Sequence, residues 1–216
     1  DTIETGAAIG IYMDSGGMEF GDAAGAKRIL HEIASGTELG KAIGNGAVSI
    51  GKKRKHARVP VVKGQAIPAW DPRPLKATGV TYCKSAMGAD HTAGLIVNPG
   101  LQPAQYAWES QKAQIVNAVC DSSGFCQFLQ PTLDDIRGFY GALHGEAVSR
   151  EQIHDIGWQC LADEWEFNRR AGFTDADDRL ADCMAQDPIG AVPTVFDVPA
   201  EIVRAAKQRM PARDDL

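Results

Sequence analysis

The chain has 216 residues, of which 44% are hydrophobic and 23% are charged, as is usual for a globular protein. Its 28 acidic and 22 basic side chains give a formal net charge of −6, which disfavours nucleic acid as a partner. We interpret the one basic run, residues 52–55, as a solvated segment. The sequence has no apolar run near the roughly 20 residues that a membrane span needs, so we expect no membrane insertion.

The cysteines indicate a reducing compartment. Their number is odd and their spacing is irregular, which favours free thiols in the cytoplasm over a disulfide framework. They are Cys83, Cys120, Cys126, Cys160 and Cys183. The chain begins at Asp1 within a helical pattern, and we therefore expect a further N-terminal part of the same protein.

Apolar residues recur at helical spacing along most of the chain, which predicts a mainly α-helical, multihelical fold. Asp22 and Ser149 are predicted N-caps, and Gln152 completes a capping box with Ser149. A strand is predicted at 59–62 in a proline-rich stretch. Helices are predicted, in chain order, at 1–15, 23–34, 38–50, 75–86, 104–120, 131–145, 150–169 and 200–209.

We expect two packed helical subdomains with extended connecting loops, residues 1–103 and 104–216. The loop at 100–104 separates the predicted helices and is the natural boundary, although the two subdomains are expected to interleave. Four of the five histidines, at positions 31, 56, 144 and 154, lie in helices or loops without special neighbours. We interpret those four as structural or surface residues.

The segment "DSSGFC", residues 121–126, is the first candidate site. Asp121 supplies an acceptor for the N–H groups of a heterocycle, Gly124 permits close backbone approach, and Cys126 is a possible thiolate ligand. A turn at 122–124 is expected to present free backbone N–H groups. The alternative from these residues alone is a capping aspartate, a turn glycine and a buried cysteine.

Two other stretches are candidates. His91, in "MGADHTAG", lies on a glycine-bounded turn beside Asp90 and can serve as an acid or base near neutral pH, or be a satisfied polar residue. Trp70, in "IPAWDPRPLK", lies in a rigid loop. Its ring either lines a pocket or packs against the core.

Five stretches occur in an order that resembles a known family. They are "DTIETGAAIGIYMDSG", "FGDAAGAKRILHEIASGTELGKAIGNG", "VKGQAIPAWDPRPLKATGVTYCKSAMGADHTAG", "DSSGFCQF" and "WEFNRRAGFTDADDRL". Together they resemble the C-terminal domains 2 and 3 of the tungsten-containing aldehyde ferredoxin oxidoreductase family. The resemblance extends from Asp1 to about Asp187.

The resemblance implies a tungsten bis-pterin cofactor, with molybdenum as the other possible metal, and a [4Fe–4S] cluster. It implies oxidation of an aldehyde to a carboxylic acid with electrons passed to ferredoxin, and it leaves a homodimer open. Asp121, Gly124, Phe125 and Cys126 would contact one pterin, and Cys126 would also ligate cluster iron. Asp1 would bind the other pterin, His91 would act as the acid or base beside the metal, and Trp70 would line the substrate cavity.

The sequence also departs from the family pattern. The other three cluster cysteines of a C-x-x-C-x-x-x-C group do not occur in it. Because one thiolate cannot hold a [4Fe–4S] cluster, we expect the isolated chain to be inactive. Trp70 replaces a tyrosine and Phe125 replaces a leucine, which affects the expected pocket. Two alternatives stay open: an enzyme of the same fold that catalyses a reduction, and a non-catalytic helical module without cofactor.

Overall fold

The computed structural model describes residues 1–211. Within that range the chain folds into ten α-helices and one two-stranded hairpin, which confirms the mainly α-helical, multihelical prediction. The helices are α1 (Thr2–Asp14), α2 (Ala23–Ser35), α3 (Glu38–Gly44), α4 (Ala47–Arg54), α5 (Lys76–Lys84), α6 (Pro103–Ser122), α7 (Leu133–His144), α8 (Arg150–Arg170), α9 (Cys183–Gln186) and α10 (Ala200–Ala205). The strands are β1 (Val61–Val62) and β2 (Gln65–Ala66), which pair antiparallel.

The first four helices pack around one hydrophobic cluster. Helix α1 lies against α3, α4 and β2, and α2 lies against α3. Ile11, Ile43 and Ile50 are buried in this cluster. Asp22 caps α2 through a 2.7 Å hydrogen bond from the Gly25 N–H, as predicted.

The one short, glycine-interrupted helix predicted at 38–50 is in fact two helices, because the chain breaks into α3 and α4 at Gly46. Gly46 has φ +92°, which glycine adopts without the steric cost that a side chain would add. Glu4 reaches this break from α1 and accepts a 2.7 Å hydrogen bond from the Ala47 N–H. Its other oxygen accepts a 2.8 Å bond from the Ala66 N–H. One carboxylate thus ties α1 to the start of α4 and to the hairpin.

The strand predicted at 59–62 is shorter than expected and is half of a hairpin. The connecting residues Lys63 and Gly64 both have positive φ, +50° and +86°, as a tight type I′ turn requires. Gly88 packs against this hairpin so closely that a Cβ there would lie 2.3 Å from the Val62 carbonyl oxygen. The turn that carries His91 is therefore fixed to the hairpin.

Helix α5 is the buried centre of the molecule and packs on α6 and α10. Every residue from Ala77 to Lys84 is buried. The hydrophobic cluster around α5 contains Val80 and Tyr82 together with Tyr106 and Val203. This cluster contains residues from before and after residue 103, so the two predicted subdomains contribute to one core. The division of the chain into subdomains at that residue stays a prediction.

Helix α8 crosses α6 at close range, since a Cβ on Gly157 would lie 2.7 Å from the Ile115 carbonyl oxygen. The predicted capping box of Ser149 and Gln152 at its start is confirmed. The last helix ends at Ala205 rather than at residue 209, because Gln111 Nε2 donates to the backbone oxygens of Ala206 and Gln208. Within residues 1–211, no helix has the length and apolarity to cross a membrane.

Candidate functional site

The segment "DSSGFC" forms the C-terminal end of α6. The Gly124 N–H donates to the Asp121 carbonyl oxygen at 3.1 Å, and the Phe125 N–H donates to the Cys120 carbonyl oxygen at 3.0 Å. Gly124 has φ +73°, and these two bonds make a Schellman motif. The expectation of free N–H groups at 122–124 is therefore wrong, because the Ser123 and Gly124 N–H groups are used to close the helix.

The side chains of this turn are nevertheless available to a ligand. Asp121 and Cys126 are both exposed, so the alternative in which the cysteine is buried is not what the structure shows. Among residues 1–211, the Asp121 carboxylate accepts no hydrogen bond and makes no ion pair. Phe125 packs edge-on against Phe139 with ring centroids 5.3 Å apart. This packing holds the turn that separates the carboxylate from the thiol.

His91 begins a short 3-10 turn, His91–Ala93, next to α5 and α6. The Asp90 carboxylate accepts a 2.7 Å hydrogen bond from the Thr92 N–H, and its oxygen lies 3.7 Å from His91 Nδ1, too far for a hydrogen bond. Asn117 Nδ2 donates to the Thr92 carbonyl oxygen at 2.7 Å. The turn is thus held through its backbone, and the imidazole is 28% exposed.

A small cavity of about 60 Å³ connects the His91 turn with the end of α6. Thr92 and Ala93 line one side and Asp121 lines the other. Gln114 also lines it, is 1% exposed, and its Oε1 has no hydrogen-bond partner among residues 1–211. The structure therefore places two oxygen acceptors beside the residues that follow His91.

Glu164, on α8, completes the acidic side of this cavity. Burial, and then the negative charge of Asp121, raise the pKa of the Glu164 carboxyl above its ordinary value. The Cys160 thiol lies 3.9 Å from the Glu164 carboxylate and 4.0 Å from the Ser122 hydroxyl. A donor-rich ligand would relieve the repulsion between the two carboxylates.

Trp70 lies in the loop before α5, and its side chain is 38% exposed. The buried Tyr82 hydroxyl donates a 3.0 Å hydrogen bond to the Trp70 carbonyl oxygen. Burial, and then the charges of Asp90 and Asp71, raise the pKa of Tyr82. Tyr82 thus fixes the backbone of the Trp70 loop to the buried helix α5.

Asp1 belongs to a different part of the molecule. Its carboxylate caps α1 by accepting hydrogen bonds from the N–H groups of Ile3 and Glu4, at 2.7 and 3.0 Å. Helix α1 packs on α3, α4 and β2, whereas Asp121 is in α6, which packs on α5, α7, α8 and α10. The structure brings Asp121 to one cavity with the His91 turn, with Cys126 on the turn that follows Asp121 and outside the cavity lining, and it groups Asp1 with the N-terminal helices.

The other cysteines do not gather around Cys126. Burial raises the pKa of Cys83 to about 12, and it also raises the pKa values of Cys120, Cys160 and Cys183. Cys83 and Cys120 are buried as expected, whereas Cys160 and Cys183 are only partly buried. In the described part of the chain, no group of three histidine, cysteine, aspartate or glutamate residues is arranged to hold a metal ion.

Sequence reasoning missed Gln114, Asn117, Glu164 and Tyr82. Gln114 and Asn117 are polar residues within α6, and Gln114 lies on its buried face, where an unexplained polar side chain signals a specific role. Glu164 is one of several acidic residues in α8, and nothing in its local sequence distinguishes it. Only the tertiary packing of α6 on α8 brings Glu164 to the cavity that Gln114 and Asn117 line. Tyr82, on the buried helix α5, does not line that cavity.

Comparison with known proteins places this arrangement in a family. Residues 1–207 match the family model "Aldehyde ferredoxin oxidoreductase, domains 2 & 3". A tungsten-containing aldehyde ferredoxin oxidoreductase from Pyrococcus furiosus is 27% identical over 218 aligned positions, covering 88% of this chain and 36% of that protein. The protein of the same name from Thermococcus kodakarensis is 28% identical, covering 82% of this chain and 34% of that protein.

The chain thus spans about a third of the length of the curated relatives that it matches. The family model covers nearly all of it, including the end of α6 and the His91 turn. The chain belongs to the aldehyde ferredoxin oxidoreductase family, and it corresponds to domains 2 and 3 of that family.

Proposed function

We propose that this chain is the C-terminal part of a tungstopterin, [4Fe–4S] aldehyde:ferredoxin oxidoreductase that oxidises aldehydes to carboxylic acids. The observation that carries the proposal is the arrangement at the end of α6. Asp121 and Cys126 are exposed on either side of one closed turn, and Asp121 shares a cavity with the residues that follow His91. The named function of the relatives supports it.

The exposed Asp121 carboxylate fits the N–H edge of a pterin. It has no hydrogen-bond partner of its own among residues 1–211, and its exposure lets a ring as large as a pterin lie against it. The cavity of about 60 Å³ beside it is too small for that ring, and Gln114 Oε1 lies buried there. We therefore assign Asp121 to hold the pterin. The metal bound by the pterins would supply the two-electron chemistry.

Cys126 fits the role of one cluster ligand, because its thiol is exposed. A [4Fe–4S] cluster takes four thiolates, and we propose that the other three come from an N-terminal part of the same protein. The isolated chain is then inactive. The cluster would lie next to the pterin held at Asp121, a short path for electrons leaving towards ferredoxin.

His91 is proposed to hold and move a proton at its imidazole nitrogen when an aldehyde and water react. Its ring is held through a rigid backbone turn and is partly open to solvent. Trp70 is proposed to line the substrate side, since its loop is joined to this region by Tyr82. We further propose a cytoplasmic protein, with a homodimer as one possible assembly.

The role of His91 is tested by aldehyde oxidation in the anaerobically purified holoprotein, with a viologen dye as electron acceptor. We expect His91→Asn to lower kcat by about 10²- to 10⁴-fold, the range for loss of a general acid or base. His31→Asn, at an exposed position in α2, is the matched control and should leave the rate unchanged. Equal rates for His91→Asn and the wild type, or no oxidation of any aldehyde by the wild type, would contradict the proposal.

A further inference from the structure

Three lysine side chains converge on one buried carboxylate away from the site described above. Lys63 Nζ lies 2.7 Å from Asp178 Oδ1. The Nζ atoms of Lys84 and Lys207 each lie 2.8 Å from Asp178 Oδ2. The side chains of Lys63, Lys84 and Asp178 are 4%, 3% and 2% exposed, and that of Lys207 is 29% exposed. This lysine cluster thus carries three positive charges around one negative charge.

The excess charge is unfavourable in the folded chain. Charged groups removed from water need compensation, and one carboxylate compensates only one of the three ammonium groups. Burial lowers the pKa of Lys63 despite its hydrogen bond to Asp178, as expected where attraction to the carboxylate does not offset the loss of water. An anion placed beside the cluster would relieve this imbalance.

A cavity of about 510 Å³ opens directly onto the cluster. Trp165 and Phe173 contribute aromatic walls, and the Lys207 ammonium lies 5.6 Å from the centre of the Trp165 ring. The other lining residues are Lys63, Ala162, Glu166, Asn168, Arg169, Thr174, Asp175, Asp178 and Lys207. This volume lies in the range of small-molecule sites, which bury an apolar body and fix a few polar groups.

The neighbouring acidic groups reduce the excess without removing it. Glu166 is bound by both Arg169 and Arg170, at 2.6 and 2.7 Å, so that this trio is itself positive. Asp175 lines the cavity as one further carboxylate. Asp177 is turned to Thr174, from whose N–H and hydroxyl its carboxylate accepts hydrogen bonds. Among residues 1–211, the lysine cluster, this trio, Asp175 and Asp177 together keep one positive charge in excess, and the lysines concentrate it at one end of the cavity.

We propose that this cavity binds a phosphate monoester, with the phosphate against Lys207 and Lys63 and the organic body against Trp165 and Phe173. A phosphate monoester carries a charge of about −1.5 to −2 at pH 7, which matches the excess on the lysine cluster. Lysine binds phosphate as a point charge, without the planar two-bond geometry that arginine provides. The two arginines here are already engaged by Glu166.

Calorimetric titration of the full chain with phenyl phosphate and with inorganic phosphate tests the proposal. We expect both to bind, with phenyl phosphate at least about tenfold tighter because its ring contacts the aromatic walls. Lys207→Gln should weaken both at least about tenfold, since it removes the most accessible ammonium. Lys207→Arg keeps the charge and should largely restore binding.

The matched control is Lys27→Gln, which makes the same change of charge at an exposed position in α2. It should bind phosphate as the wild type does. Far-ultraviolet circular dichroism of each variant establishes that the helices are intact. Equal affinities in the wild type and Lys207→Gln, or the same heat from potassium chloride at matched ionic strength, would overturn the proposal.

Discussion

The Phe125 N–H donates a 3.0 Å hydrogen bond to the Cys120 carbonyl oxygen, and this bond closes the C-terminal end of α6 directly before Cys126. Phe125 also packs in the same hydrophobic cluster as Cys120. The backbone of the turn is thereby closed on itself, while the side chains of Asp121 and Cys126 remain exposed. These two side chains are the part of the segment that a ligand can reach, and its glycine serves the fold.

Replacement of Gly124 by alanine tests this interpretation of the motif. Gly124 has φ +73°, and an L-residue with a side chain pays roughly 1–2 kcal/mol in that conformation. We expect Gly124→Ala to lower the free energy of unfolding in urea by about that amount. No atom lies within 4 Å of the added Cβ, so the effect is one of backbone conformation.

Gly138→Ala is the control for this measurement. Gly138 lies within α7, also with no atom within 4 Å of an added Cβ, and it is exposed. There alanine should raise the free energy of unfolding by roughly 0.5–1 kcal/mol, because it favours the helix. If the two variants shift stability in the same direction, the left-handed turn at Gly124 is not what closes the helix.

We expect Glu4 to contribute more to the free energy of unfolding than a residue on a helix surface usually does. Its two carboxylate oxygens accept hydrogen bonds from the N–H groups of Ala47 and Ala66. Glu4→Ala leaves both donors without their acceptor and should lower the free energy of unfolding by about 2 kcal/mol. Glu19→Ala, at an exposed position, should change it by less than about 0.5 kcal/mol. A loss no larger than that of the control would show that water replaces the carboxylate.

His154 is expected to make the folded chain sensitive to mild acid. It is 1% exposed, and among residues 1–211 neither ring nitrogen has a hydrogen-bond partner. Burial, followed by the positive charge of Arg209, lowers the pKa of His154, although Glu151 and Asp155 act in the opposite sense. Between the lowered folded pKa and the unfolded value near 6.5, the unfolded chain binds more protons. Stability therefore falls as pH falls through this window.

His154→Leu removes this proton uptake, and the comparison is the free energy of unfolding from pH 7.5 to 5. Below pH 6.5 the free energy of unfolding should fall more steeply with falling pH in the wild type than in His154→Leu, by up to about 1.4 kcal/mol per pH unit. His31→Gln, at an exposed position, should follow the wild type. Parallel curves for the wild type and His154→Leu would show that the buried ring is protonated in the folded chain.

Local sequence signals predicted the helices and their caps well where one dominant pattern decides the structure. Asp22 and Ser149 have the residue types and spacing of N-caps, and both cap helices as expected. The break at Gly46 was not predictable in the same way, because it depends on a carboxylate 43 residues away. Gly64 is a local signal for the hairpin turn at Lys63 and Gly64. The sequence prediction did not use it, because it considered a single strand and not a pair.

The same difference between local and tertiary signals applies to the residues of the candidate site. Asp121, Cys126 and His91 were accessible to sequence reasoning because each lies in a short segment of unusual composition. Glu164 was not, because only the packing of α6 on α8 makes it a neighbour of Asp121. Gln114 lies on α6 with Asp121, but that its buried oxygen has no partner among residues 1–211 is seen only in the structure. The lysine cluster around Asp178 joins residues between positions 63 and 207, and its members have no common sequence pattern.

The most direct test of the central claim is the tungsten, molybdenum and iron content of the anaerobically purified holoprotein and of its Cys126→Ala variant. We expect about one tungsten or molybdenum atom per chain in the wild type. We also expect about four iron atoms per chain, as one [4Fe–4S] cluster requires. Cys126→Ala should lose iron, and Cys183→Ala, at a cysteine far along the sequence, should keep it. Full iron in Cys126→Ala, or a wild type without metal, would contradict the assignment of Cys126 and Asp121 as cofactor residues.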